Sequence, residues 1–104
     1  MSKETLQEID QKVKNNRVVV FMKGTPEAPM CGFSNQVCQV LRMVGAEFVG
    51  VDVIGNPEYR ETVKEYTNWP TIPQIFIDGK FVGGCDIITE LYESGELETM
   101  IKAK

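Results

Sequence analysis

Cys31 is the residue in this chain best placed to do chemistry. An apolar run, Arg17 to Met22, precedes it, then the loop Lys23-Gly24-Thr25-Pro26-Glu27-Ala28-Pro29-Met30, and an amphipathic helical pattern starts at Gly32. A thiol at a strand-to-helix junction faces unpartnered backbone N–H groups and the positive end of the helix dipole, and both favour the thiolate. Lys23 adds a nearby positive charge. A thiolate held this way attacks disulfides or binds a soft metal. The alternative is a buried structural cysteine, and the proline-rich loop before Cys31 and Gly32 after it argue for an accessible site instead. A dithiol redox motif would carry its second cysteine at position 34, where this chain has Ser34. Serine cannot resolve a mixed disulfide. Either a small external thiol resolves Cys31, or Cys31 serves as a ligand.

Three other places carry candidate chemistry. Ile72-Pro73 stands just before a strand pattern. A cis bond there turns the backbone of Ile72 outward and frees its N–H and C=O to pair with an extended peptide; an ordinary strand-start proline fits the spacing equally well. In Gly83-Gly84-Cys85-Asp86, two glycines let a ligand approach the backbone, and the helix that follows offers free N–H groups to a carboxylate. Asp86 reads first as the cap of that helix, with acceptance from a ligand ammonium as a second role. Lys23 and Arg60 are the anion-holding candidates, although each taken singly also reads as a solvated surface charge.

Composition removes several classes of function. The 104 residues fit one domain, residues 1–104, with 42% apolar and 25% charged residues, which is ordinary for a globular chain. No apolar run approaches the roughly 20 residues of a membrane span, and the N-terminus is too charged for a secretory signal and too acidic for a transit peptide. Net charge is −4 and the pI about 4.8, which argues against a nucleic-acid surface. Any anionic ligand must then be held by a local cation cluster. Histidine is absent, so triads and zinc or Rieske sites that need it are excluded. The odd cysteine count (Cys31, Cys38 and Cys85) fits free thiols in a reducing compartment. On one helix, Cys31 and Cys38 are separated by about 10 Å, too far for a disulfide. A bridge between Cys31 and Cys85 depends on tertiary structure and stays open.

The elements that must position these residues follow from periodicity. Leu6, Ile9 and Val13 mark a helix over residues 3–15, and Arg17 to Met22 reads as a strand buried on both faces. A helix over residues 32–44 presents Phe33, Val37, Val40, Leu41 and Val44 on one face and stops at Gly45, with Cys38 at the edge of the core. Glu47 to Val53 is a second strand, so a parallel βαβ unit with a right-handed crossover is expected. Asn56-Pro57 caps a third helix ending at Thr67-Asn68. Residues 74–77 and 80–82 form a hairpin about Asp78-Gly79. A helix from Asp86 to about Glu93 and a short one over residues 96–102 complete an α-β-α-β-α-β-β-α-α order. This is a thioredoxin-type arrangement: α/β, with a central mixed sheet flanked by helices.

Taken together, Lys23 to Ser34, Trp69-Pro70-Thr71-Ile72-Pro73-Gln74 and Gly83-Gly84-Cys85-Asp86-Ile87 resemble a monothiol glutaredoxin of the Cys-Gly-Phe-Ser class over nearly the whole chain. The resemblance implies a thioredoxin-like fold with a mixed four-stranded sheet, and glutathione as ligand. Carried over by position, Lys23 and Arg60 hold its glycine carboxylate, and Ile72 before a cis Pro73 pairs with its cysteinyl backbone. The Cys85 backbone and Asp86 hold the γ-glutamyl end, and Cys31 faces the sulfur. The resemblance also implies a [2Fe–2S] cluster shared by two protomers, with Cys31 as each chain's ligand. The cluster takes four thiolates, which one Cys31 and one glutathione from each of two chains supply. The implied roles are delivery of clusters to apo iron–sulfur proteins in cluster biogenesis and iron homeostasis, within a homodimer that is monomeric without the cluster, and association with a BolA-like protein. The alternative is glutathione-dependent reduction of mixed disulfides through Cys31. The expected location is the cytoplasm, or an organelle such as the mitochondrial matrix for a mature form.

Overall fold

The computed structural model describes residues 2–103. The elements are α1 (Lys3–Asn15), β1 (Val18–Met22), β2 (Gly24–Thr25), β3 (Ala28–Pro29), α2 (Gly32–Met43), β4 (Val49–Asp52), α3 (Pro57–Thr67), β5 (Gln74–Ile77), β6 (Lys80–Gly83), α4 (Cys85–Ser94) and α5 (Glu96–Lys102). Four strands form one sheet in the order β4-β1-β5-β6. β1 runs parallel to β4 and antiparallel to β5, and β5 pairs antiparallel with β6. The sheet is mixed, as expected.

The apolar run of β1 is buried at every residue because helices cover both of its faces. Side chains alternate along a strand, so Val18, Val20 and Met22 join the core formed with α2, α4 and α5. Val19 and Phe21 point the other way, into the core formed with α1 and α3. β5 repeats the division: Ile75 and Ile77 face the first core and Phe76 the second. Phe76 gathers Phe21, Tyr66 and Phe81 around it, with ring centroids 5.5–6.0 Å apart. Truncating a ring at this junction removes packing of about 3–5 kcal/mol.

Local signals fix the ends of the elements. Asn56 caps α3 by accepting from the Tyr59 N–H at 3.2 Å, Pro57 occupies the first turn, and Asn68 ends the helix in the left-handed region. Asp78 (φ +53°) and Gly79 (φ +79°) make the two-residue turn between β5 and β6. The far end of the sheet is tied to the C-terminus by Arg17. Its guanidinium donates to the carbonyls of Met100 (2.8 Å) and Ile101 and pairs with Asp78 at 3.0 Å.

Three expectations need correction. The segment between β1 and α2 is not irregular, since β2 and β3 pair as a small antiparallel hairpin. The second long strand is Val49–Asp52 rather than residues 47–53; Phe48, just before it, packs against the α2-side core with the Arg42 guanidinium 5.9 Å from its ring centroid. Helix α4 begins at Cys85, with Gly84 as its N-cap.

Candidate thiol site

Cys31 is the N-cap residue of α2. Its backbone is extended (φ −156°, ψ 137°), and its side chain makes no capping bond of the usual kind. The Ser34 N–H, one turn into the helix, does most to hold the thiol below its ordinary value. The Phe33 N–H, the Lys23 charge and the Ser34 hydroxyl act the same way, against partial burial. Cys31 is half-buried and lines the cleft described below, so this acidity is available to a ligand.

Ser34 is itself fully buried, and its Oγ accepts the Lys23 N–H at 3.1 Å. The Lys23 carbonyl accepts the Met30 N–H at 2.9 Å. The residues at the two ends of the hairpin, Lys23 and Met30, are therefore pinned to each other and to the first turn of α2. Position 34 is a structural anchor for the loop as well as the place where a resolving thiol is missing.

Cys31 opens onto a cleft of about 470 Å³, a size suited to a small ligand. The cleft brings together Lys23, Cys31, Arg60, Ile72, Pro73, Cys85 and Asp86, all seven residues singled out in the sequence. Arg60 and Lys64 come from successive turns of α3 and Lys23 from the residue after β1, so three cations line the cleft. The Arg60 Nε lies 3.4 Å from Glu61, close enough for ion pairing, yet it makes no hydrogen bond. The Ile72–Pro73 bond is cis. Among the described residues, Ile72 makes no backbone hydrogen bond outside the regular elements and stands just before β5, so its polar backbone is free at the cleft.

Asp86 departs from its sequence reading. Gly84 is the N-cap of α4 and no side chain caps that helix, so the Asp86 carboxylate is not consumed as a cap. It is exposed at the cleft, in the first turn. Gly84 also explains why glycine stands there, since a Cβ would lie 3.2 Å from the Pro73 carbonyl oxygen. Cys85 is buried beside it. Burial raises its thiol above the ordinary value, the Asp86 and Cys31 charges add to this, and a hydrogen bond with Thr89 opposes it. Cys31, Cys38 and Cys85 are all free thiols. Cys38 lies fully inside the core, 3.8 Å from the Met22 sulfur, with its thiol raised chiefly by burial.

Sequence reasoning missed several wall residues. Lys64 follows Arg60 by one helical turn, and that i,i+4 spacing could have found it. Trp69 and Thr71 line the cleft, and buried Gln74 holds both in place. The Gln74 amide donates to the Trp69 and Thr71 carbonyls at 2.9 and 3.2 Å, and its oxygen accepts from Thr67 at 2.8 Å. A polar residue opening an otherwise apolar strand was the available signal. Met30 and Phe33 flank Cys31 and are 68% and 61% exposed, an apolar rim around the thiol.

Fold and site together define a thioredoxin-like protein with one activated thiol at a helix N-terminus. The Glutaredoxin family model matches residues 18–82, and the chain belongs to that family. A curated relative, probable monothiol glutaredoxin 2 of Rickettsia felis, is 56% identical over 94 residues, covering 90% of each chain. The solution structure of a monomeric truncated mutant of Trypanosoma brucei 1-C-Grx1 superposes with a TM-score of 0.86 at 47% identity, covering 94% of this chain and 89% of that one. The crystal structure of a buckwheat glutaredoxin–glutathione complex superposes with the same score at 29% identity, covering 97% and 90%. With Ser34 where a dithiol motif carries its second cysteine, this chain is of the monothiol kind.

Proposed function

We propose that the cleft binds glutathione and that Cys31, with the glutathione thiol, carries a [2Fe–2S] cluster between two copies of the chain. The supporting observation is that one cleft gathers cations and a free carboxylate around one acidified thiol. Lys23, Arg60 and Lys64 lie on its walls with Asp86 at the start of α4, and glutathione has a carboxylate at one end and an ammonium and carboxylate at the other. In this reading Lys23 and Arg60 take the glycine carboxylate. The free backbone of Ile72 before Pro73 pairs with the cysteinyl residue. The Cys85 N–H and the Asp86 carboxylate take the γ-glutamyl group.

The donor set fits a shared cargo rather than a resident metal. No group of three His, Cys, Asp or Glu residues that could hold a metal ion occurs among the described residues. Cys31 is the accessible, acidified thiol, whereas Cys85 is buried with a raised thiol and is the poorer ligand. Four thiolates then require two chains and two external thiols. The cluster is released to apo recipient proteins, and a BolA-like protein is a candidate partner for the loaded form. The three free thiols suit a reducing compartment such as the cytoplasm.

A second reading rests on the acidity of Cys31. Its thiolate attacks a protein–glutathione disulfide, releases the protein thiolate and becomes glutathionylated. A second glutathione then regenerates Cys31 and leaves as oxidised glutathione. Anaerobic reconstitution with iron, sulfide and glutathione separates the two readings. Cluster carriage predicts a coloured dimer that Cys31→Ser does not form. A colourless monomer that turns over a glutathionylated substrate would leave only the second reading standing.

A further inference from the structure

The hairpin of β2 and β3 is fastened at both ends to residues distant in sequence. At its root, the Gly24 N–H donates to Asp52 Oδ1 at 3.0 Å, and the same oxygen accepts the Ile54 N–H at 2.9 Å. At its tip, the Pro26 carbonyl accepts from the Arg42 guanidinium at 2.8 Å. The Pro26 ring lies against Gly50 of β4 so closely that a Cβ there would stand 2.4 Å from the ring Cγ. Gly24 is needed at the root. Its φ is +86°, and a Cβ would fall 2.5 Å from the Ala28 carbonyl oxygen.

We propose that Arg42, Gly50 and Asp52 are positioning residues for Cys31, forming a latch that holds the preceding hairpin and so fixes Lys23 beside the thiol. None of the three lines the cleft. They act through the chain: Gly24 follows Lys23, Met30 precedes Cys31, and the Lys23 carbonyl bonds the Met30 N–H at 2.9 Å. Arg42 sits in the last turn of α2, whose N-terminus carries Cys31, so one helix grips the hairpin tip and presents the thiol. With the latch open, the hairpin swings on Lys23 and Met30, and the ammonium no longer keeps its place near the sulfur. The proposal rests on Cys31 as the reactive thiol and is independent of the cargo it carries.

The test is the pH dependence of iodoacetamide alkylation at Cys31, read by mass spectrometry of the Cys31 peptide without glutathione. Arg42 is exposed, so Arg42→Ala releases the tip without opening the core. Gly50→Ala expels the Pro26 ring, and Asp52→Ala frees the root. Each should move the alkylation midpoint upward, reducing the thiolate fraction below the midpoint by about two- to threefold. Asp52→Asn keeps an acceptor oxygen and should restore the wild-type midpoint. In a Lys23→Gln background, Arg42→Ala should add nothing further. Folded variants that melt earlier but keep the wild-type midpoint would overturn the latch. A wild-type midpoint no lower than that of a free thiol would overturn the reading of Cys31 itself.

Discussion

Ser34→Ala separates the two tasks of position 34. In the wild type the Ser34 hydroxyl accepts the Lys23 N–H at 3.1 Å, and the side chain has no exposed surface. Alanine leaves that N–H facing a buried methyl group. A donor stranded in this way costs about 1–3 kcal/mol. For a domain of this size each kcal/mol lowers the melting temperature by roughly 4–8 °C. The thiol should respond far less. Its strongest support is the Ser34 backbone N–H, then the Phe33 N–H and the Lys23 charge, and the Ser34 hydroxyl contributes least. Urea unfolding and the alkylation profile of Cys31 measure the two effects on the same protein. The expected result is a clear loss of stability with a midpoint displaced less than in Lys23→Gln. Unchanged stability with a larger displacement than Lys23→Gln would refute the reasoning.

Other outcomes follow from the same structure. The folded Cys31 thiol is more acidic than its unfolded value of 9.0. Its stabilising contribution is therefore complete above that value and is lost as pH falls through the folded pKa. In urea titrations, wild-type stability minus that of Cys31→Ser should grow as pH rises toward 9.0; a difference that shrinks contradicts this sign. Tyr59 and Tyr66 are pushed up to about 12, by burial first and then by hydrogen bonds to Glu8 and Asp10. Spectrophotometric titration should show two phenols ionising that late, and three ionising near the ordinary ~10 would contradict it. By calorimetry, Arg60→Ala and Asp86→Asn should each weaken glutathione binding roughly tenfold, and unchanged affinity in both would remove the assigned orientation.

What the sequence revealed depended on how local the signal was. Alternation cannot be read in a strand buried on both faces, yet the unbroken apolar run from Val18 to Met22 marked β1 for that reason. Asn56-Pro57 and Asp78-Gly79 announced their cap and turn because the chemistry lies in adjacent residues. The hairpin before Cys31 stayed hidden because its anchors, Arg42, Gly50 and Asp52, lie 16 to 28 residues from their partners or pack a glycine against a proline ring. Asp86 was misread as a cap because aspartate favours that role, while the structure gives it to Gly84. The seven cleft residues came from three motifs read together and from resemblance. Lys64 and Gln74 carried only a helical spacing and one polar residue in an apolar strand.

The central claim is that glutathione in the cleft supplies the thiol this chain lacks at position 34. Acid release of thiols from the purified, reconstituted [2Fe–2S] form tests it most directly, with iron, sulfide and glutathione counted against protein. One glutathione per chain, in a dimer holding two irons and two sulfides, is the predicted result. A dimer with the same iron and sulfide content but no glutathione would contradict the account.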